Sequence, residues 1–266
     1  ARTFLEPMLG EELLRANPKV RVAVLDTGNP VSQLPDSKQV AAGLSSVDFL
    51  VVIDAFLTDT AELAHVVLPT TTMLEEHDVV GAYGHAYVQL AQPVVAPPEG
   101  VLTDLGIYQA LADRLGFGEA MKGSAESWIE RFLAPMAERG VTREALLKSG
   151  LRKPDAPRIL YEDRHFPTPS GKFQMVTDFP GAPAALDEDY PLHLLSISTY
   201  KNQSSQISPS AQQEPPSITL HPDAATGHED GSLARLVSPI GAVTVRLRFD
   251  AKQRRVIRVA ADGSSP

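Results

Sequence analysis

Arg21-Val-Ala-Val-Leu-Asp26-Thr-Gly-Asn-Pro30 and Asp48-Phe-Leu-Val-Val-Ile-Asp54 are built alike: a short apolar run rich in β-branched residues, closed by a carboxylate. β-Branched side chains suit a pleated strand, and Gly28-Asn29-Pro30 is turn chemistry, so the first stretch predicts a strand followed by a turn. Phe49 to Ile53 is continuously apolar rather than alternating, which predicts a parallel strand buried on both faces. Between the two, Lys38 to Leu44 predicts a short crossover helix begun after Pro35-Asp36. Thr58 to Ala64 predicts a helical turn, and Val66-Val67-Leu68 a third short strand. Strand, helix, strand, helix, strand makes an α/β unit with a doubly wound parallel sheet the expected fold.

Working outward, Glu75 to Tyr87 is polar with interspersed glycines and aromatics and is expected to be a loop; Pro93 to Gly100 is a proline-rich connection. Leu105, Tyr108, Leu111, Ala112 and Leu115 recur at helical spacing, with Gly116 as the stop. Ser124 or Ser127 can cap a helix through Trp128, Phe132 and Leu133, which Pro135 is expected to disturb or end. Thr142 to Lys148 predicts a short helix closed by Gly150, and residues 151–190 an irregular linker. The final segment changes character. Leu192 to Ser196, Ser217 to Leu220, Ser232 to Val237, Ala242 to Phe249 and Val256 to Ala260 are strand-like. Val243, Val245 and Leu247 alternate with Thr244, Arg246 and Arg248 at the period of a half-buried strand. With a helical turn at Pro222-Asp-Ala-Ala, these short strands predict a small closed barrel. Three regions are expected: 1–120, the α/β segment; 121–185, helical and irregular; 186–266, the barrel.

Composition narrows the function classes. At 266 residues the chain can bury a sizeable core. Its net charge of −9 argues against a nucleic-acid or anionic-membrane surface. No apolar run approaches the roughly 20 residues of a membrane helix. The N-terminus shows no signal-peptide pattern, which leaves localisation open, cytoplasmic slightly favoured over periplasmic. There is no cysteine, so no disulfide, thiolate nucleophile or cysteine-ligated cluster can form from these residues.

Several side chains could carry chemistry. Gly28 and Asn29 sit at the carboxyl end of a strand, where ligands bind in open α/β sheets; the alternative is a tight turn needing φ > 0. Asp54 can accept two N–H donors from one base edge, or it can cap the next turn. Thr58-Asp59-Thr60 reads as the start of the following helical turn. His65 reads as a surface or satisfied histidine. Glu75, His77, Asp78 and His85 lack tight metal-ligand spacing, and no metal site is assigned to them. Asp104 opens a helix, where the dipole favours a carboxylate by about 0.3–1 kcal/mol. Thr168-Pro-Ser-Gly-Lys172 is turn chemistry. Ser196 to Gln206 is a loop of hydroxyls and amides with one cation, Lys201, suited to phosphate oxygens or simply a polar loop.

In their order, these stretches resemble the molybdopterin oxidoreductases, the family of formate dehydrogenases, dissimilatory nitrate reductases and dimethyl sulfoxide reductase. The resemblance covers roughly residues 20 to 260. It implies the C-terminal part of such an enzyme: a Rossmann-like segment followed by a double-psi type β-barrel. It implies a bis-molybdopterin guanine dinucleotide carrying molybdenum or tungsten, and a 4Fe-4S cluster held only by an N-terminal catalytic part acting as partner. An electron-transfer partner would follow. Carried over position by position, the resemblance gives cofactor contacts at Gly28, Asn29, Ile53, Asp54, Asp104, Ile197, Ser198, Thr199, Lys201, Asn202, Ser204 and Ser205, with Asp54 at the guanine. It places no catalytic or metal-ligating residue in this chain. The sequence departs from the family pattern at His65, at Glu76, where some relatives have lysine, and at Ile197-Ser198-Thr199. The rival reading is a non-catalytic module that binds the pterin cofactor or assists assembly with a separate catalytic subunit.

Overall fold

The computed structural model describes residues 2–177, 189–197, 207 and 212–253, and the backbone of 256–260. In chain order the first elements are α1 (Leu9–Arg15), β1 (Val22–Asp26), α2 (Pro30–Gln33), α3 (Ser37–Ser45), β2 (Phe49–Asp54) and β3 (Val66–Pro69). Next come β4 (Asp78–Ala82), β5 (His85–Ala91), α4 (Asp104–Leu115), α5 (Gly118–Met121), α6 (Ala125–Ala137), α7 (Arg143–Lys148) and β6 (Leu151–Arg152). The last are β7 (His193–Ile197), β8 (Ser217–Leu220), β9 (Leu233–Val237), β10 (Ala242–Phe249) and β11 (Val256–Ala260). The fold is mixed α/β with parallel and antiparallel sheets. Two compact units form: Ala16–Gly28 with Leu44–Met175, and Ala1–Arg15 with Asn29–Gly43 and Val176–Pro266.

The first of these units holds the parallel sheet, in the order β1-β2-β3. Asp26 lies opposite Ile53 and Asp54 opposite Pro69, so the carboxyl ends of the strands are level. Leu50, Val52 and Ile53 are fully buried, as the continuous apolar run of β2 predicts. Two-sided burial does not extend to β1, where Val22 and Val24 are exposed. A doubly wound sheet needs a reversal of strand order, and among the described residues β1-β2-β3 has none.

Residues 75–87 are not the expected loop. β4 and β5 form an antiparallel hairpin with a register shift at Gly81/Ala82, and β6 pairs with the far side of β5. The strand signal was present but diluted. Ala86, Val88 and Leu90 alternate with exposed His85, Tyr87 and Gln89, a period-2 pattern masked by the polar turn. This hairpin covers a second core of Ile129, Leu133, Val141 and Leu146, packed with Val79, Val88, Leu90, Met136 and Leu151. Residues 129–151 are therefore packed structure joined to the hairpin. The apolar face of α6 is Ile129, Leu133 and Met136; Phe132 points outward. Pro135 does not end α6, which continues to Ala137. Anchoring of Leu133 and Met136 in this core offsets the hydrogen bond the proline lacks.

Capping follows the sequence closely. Thr103, Ser124 and Thr142 accept N–H bonds that start α4, α6 and α7, and Gly116 ends α4 in the left-handed conformation.

The other unit carries a five-stranded mixed sheet, ordered β7-β11-β8-β10-β9. Every strand expected here forms, and Pro222–Ala225 is a 3-10 turn. The ladder is open from β7 to β9 among the described residues, so the closed barrel is not seen in its pairings. Its core is Ile218, Leu220, Val245 and Leu247, with Leu236 and Phe249 packed alongside. Two glycines bring α1 and α3 into backbone contact: a Cβ on Gly10 would lie 2.6 Å from Gln39 backbone atoms, and one on Gly43 2.7 Å from the Gly10 carbonyl.

Candidate functional site at the ends of the parallel strands

The level strand ends gather chemistry-bearing residues within one unit. β1 ends at Asp26 and passes into Thr27, whose N–H donates to the Ile53 carbonyl at 2.9 Å. Thr27 takes φ 49°. A β-branched residue in the left-handed region is strained, and such strain collects at ligand-contacting turns. Asn29, expected as a candidate for φ > 0, has φ −116° instead and begins α2 from the other unit, its carbonyl accepting from Ser32 and Gln33.

Asp54 ends β2 half-buried, and its Oδ1 accepts from the Phe56 N–H at 3.0 Å. This turn-capping bond uses one oxygen and leaves lone pairs for a second donor. Ile53 turns its side chain fully into the core, so only its backbone can face a ligand. Beyond β3, Thr70 N–H reaches the Asp54 carbonyl at 3.4 Å, and Thr70 pairs with Leu102 in an isolated parallel bridge. That bridge brings the N-terminus of α4 to the strand ends. Asp104, in the first turn of α4, contacts the Thr70 hydroxyl at 2.5 Å. Tyr108, one turn later on the same face, donates to Asp26 Oδ2 at 2.9 Å. Glu76 accepts from the Thr71 hydroxyl at 2.9 Å.

The result is an acceptor-rich cluster of Asp26, Glu76 and Asp104. Burial pushes the Glu76 carboxyl up; the Thr71 hydroxyl opposes this, and Asp104, Asp78 and Asp26 add to it. Burial likewise raises Asp104, with Thr70 opposing and Asp26 adding. Tyr108 is pushed up to about 12 by burial, by its hydrogen bond to Asp26 and by the nearby carboxylates. Asp26 Oδ1 is buried with no hydrogen-bond partner, an acceptor lacking a donor. Sequence reading did not assign Asp26, Thr70, Thr71, Glu76 or Tyr108 to the site. The legible signal was that Asp26 closes its strand as Asp54 does, and that Tyr108 stands four residues after Asp104 on one helix.

Of the other expected contacts, Ile197 ends β7 with its side chain exposed. Ser198, Thr199, Lys201, Asn202, Ser204 and Ser205 lie outside the described residues. His65 is a satisfied histidine: its Nδ1 accepts from Leu50 N–H at 3.0 Å. The Thr58 hydroxyl accepts from Ala61 N–H and starts the 3-10 turn at Ala61–Leu63. His77 faces Glu126 at 3.5 Å, and His85 Nδ1 accepts from Tyr87 N–H. No helix among the described residues is long and apolar enough to cross a membrane.

The chain is 32% identical over 86% of its length to "Probable oxidoreductase YyaE" of Bacillus subtilis, of which it covers 38%. It is 30% identical over 83% of its length to "F420-dependent formate dehydrogenase subunit alpha" of Methanocaldococcus jannaschii, of which it covers 35%. The chain thus spans little more than a third of the length of these relatives. Its fold is shared with acetylene hydratase from Pelobacter acetylenicus, at a TM-score of 0.76 and 22% identity, covering 96% of this chain and 39% of that one. Residues 10–114, which include all three parallel strands and most of α4, match the family described as Molybdopterin oxidoreductase.

Proposed function

We propose that this chain is the cofactor-binding C-terminal portion of a molybdenum- or tungsten-dependent oxidoreductase, and that its strand-end cluster holds the base of a molybdopterin guanine dinucleotide. The observation that carries the reading is the orphaned acceptor Asp26 Oδ1 in a cluster with Glu76 and Asp104, at the same strand ends as Asp54. Guanine and the pterin share a 2-amino-4-oxopyrimidine edge, which presents a ring N–H and an exocyclic amine side by side. Carboxylates match that donor pair and do not match the acceptor-rich edge of a phosphate. The residues present therefore fit the base end of the cofactor better than its pyrophosphate.

Gly28 allows the backbone to approach, Asp54 offers a carboxylate at the lip, and Asp26 supplies an unsatisfied acceptor deeper in. Thr27 holds the turn between them in a strained conformation. When bound, the cofactor supplies a metal centre for oxygen-atom, hydride or electron transfer; this chain's share is to bind and orient it. The iron–sulfur cluster, the metal-ligating side chain and the substrate pocket belong to an N-terminal part of the same enzyme. The chain alone is inactive in this reading. A subunit named alpha among the relatives supports further subunits as partners.

Asp54→Asn in the full-length enzyme tests the assignment. The amide puts a donor against guanine's donors, at a cost of about 1–3 kcal/mol in cofactor binding. Fold stability should change by a few tenths of a kcal/mol, because Asn caps about as well as Asp. Guanine nucleotide released on denaturation should fall while the thermal midpoint holds. A normally folded mutant with wild-type guanine content removes Asp54 from the site.

A further inference from the structure

Thr70, 4% exposed, has a hydroxyl with two acceptors in reach: the Leu102 carbonyl at 3.1 Å and Asp104 Oδ1 at 2.5 Å. A hydroxyl has one proton to give. If Asp104 is ionised, Thr70 can satisfy one neighbour and faces the lone pairs of the other. If the Asp104 carboxyl keeps its proton, it donates to Thr70, and Thr70 donates to Leu102. Both contacts are then hydrogen bonds.

The groups facing Asp104 bear on the same point. From β1 comes Asp26; from the segment before β4 comes Glu76, with Asp78 of β4 behind it; from α4 itself comes Tyr108. The Tyr108 proton is committed to Asp26 and cannot serve Asp104. The charges acting here are acidic; the α4 dipole, by about 0.3–1 kcal/mol, and any donation from the Thr70 hydroxyl are what favour the anion.

We infer that Asp104 retains a proton at a pH where an ordinary aspartate has lost it, and that the relay from Asp104 through Thr70 to Leu102 is a pH-dependent latch between β3 and the N-terminus of α4. The latch has two hydrogen bonds when protonated and one when not. Burial, which raises the Asp104 carboxyl, acts in the same direction. The inference rests on the protons of this chain alone and stands apart from the cofactor reading.

The sign of one mutational shift decides it. In the relay, Thr70 accepts from the protonated carboxyl, so Thr70→Val removes a partner of the protonated form and the Asp104 midpoint moves to lower pH. If Thr70 instead donates to a carboxylate, the same change moves the midpoint to higher pH. The measurement is a carbon-13 carboxyl titration of the 266-residue chain by NMR, with Asp104→Asn to assign the signal. We expect a wild-type midpoint above that of an ordinary aspartate, a lower midpoint in Thr70→Val and a wild-type midpoint in Thr70→Ser, which keeps the hydroxyl. A wild-type midpoint at or below the ordinary value overturns the inference, even if Thr70→Val does not fold. So does a rise in Thr70→Val, or a Thr70→Ser midpoint that moves away from wild type.

Discussion

Tyr108→Phe deletes one hydroxyl and leaves the ring in place, and its consequences can be worked out from the site. The lost bond is the 2.9 Å donation to Asp26 Oδ2, and the other oxygen of Asp26 already lacks a partner. Hydrogen bonds to charged groups contribute about 1.5–3 kcal/mol. Both residues are half-buried, so solvent screening places the loss near the lower end, about 1.5 kcal/mol at pH 7.5. That corresponds to a drop in thermal midpoint of about 3–6 °C for a chain of this size.

The same substitution has a signature in pH. Tyr108 is raised to about 12 in the folded protein, above the usual tyrosine value near 10. Its contribution is therefore fully present below pH 10 and is lost as pH rises through 12. Phenylalanine has no such loss. Urea unfolding followed by circular dichroism at pH 7.5 and pH 11 should show the mutant less stable at the first and the gap narrowed at the second. A loss below about 0.5 kcal/mol at pH 7.5, or a gap that does not change at pH 11, refutes the Tyr108–Asp26 bond as a stabilising contact.

Two further outcomes test the framework. Gly43→Ala should destabilise by about 1–3 kcal/mol in chemical denaturation, because the new methyl meets the Gly10 backbone, which cannot rotate away. Leu133→Ala should cost about 2–5 kcal/mol, since the side chain is 1% exposed in the core under the β4–β5 hairpin; a cost below 1 kcal/mol would mean α6 is not held there.

The local grammar of this chain was legible where one force dominates. Val22 to Asp26 and Phe49 to Asp54 are short apolar runs with nowhere to go but a sheet, and Thr103, Ser124 and Thr142 announce helix starts through their hydroxyls. The hairpin at Asp78–Ala91 was hidden because its buried face is only Val79, Val88 and Leu90, and it becomes a strand pair by packing on a core drawn from residues 129–151. Pro135 lies inside α6, which runs two residues beyond it, because tertiary packing can hold a turn that a local rule disfavours. The strand-end position of Asp54 and the helix-start position of Asp104 were legible in the sequence. The places of Thr70, Tyr108 and Glu76 were not, because what joins them is the Thr70–Leu102 bridge and the meeting of α4 with β1, contacts between residues 32 and 82 positions apart.

The central claim is that these strand ends hold the base of a molybdopterin guanine dinucleotide in a larger enzyme. The most direct measurement is the cofactor content of the full-length protein: molybdenum or tungsten by elemental analysis, and guanine nucleotide released by acid denaturation, on one sample. The account predicts bound metal with two guanine nucleotides for each metal ion. Pure, folded full-length protein without guanine nucleotide, whatever its metal content, would contradict it.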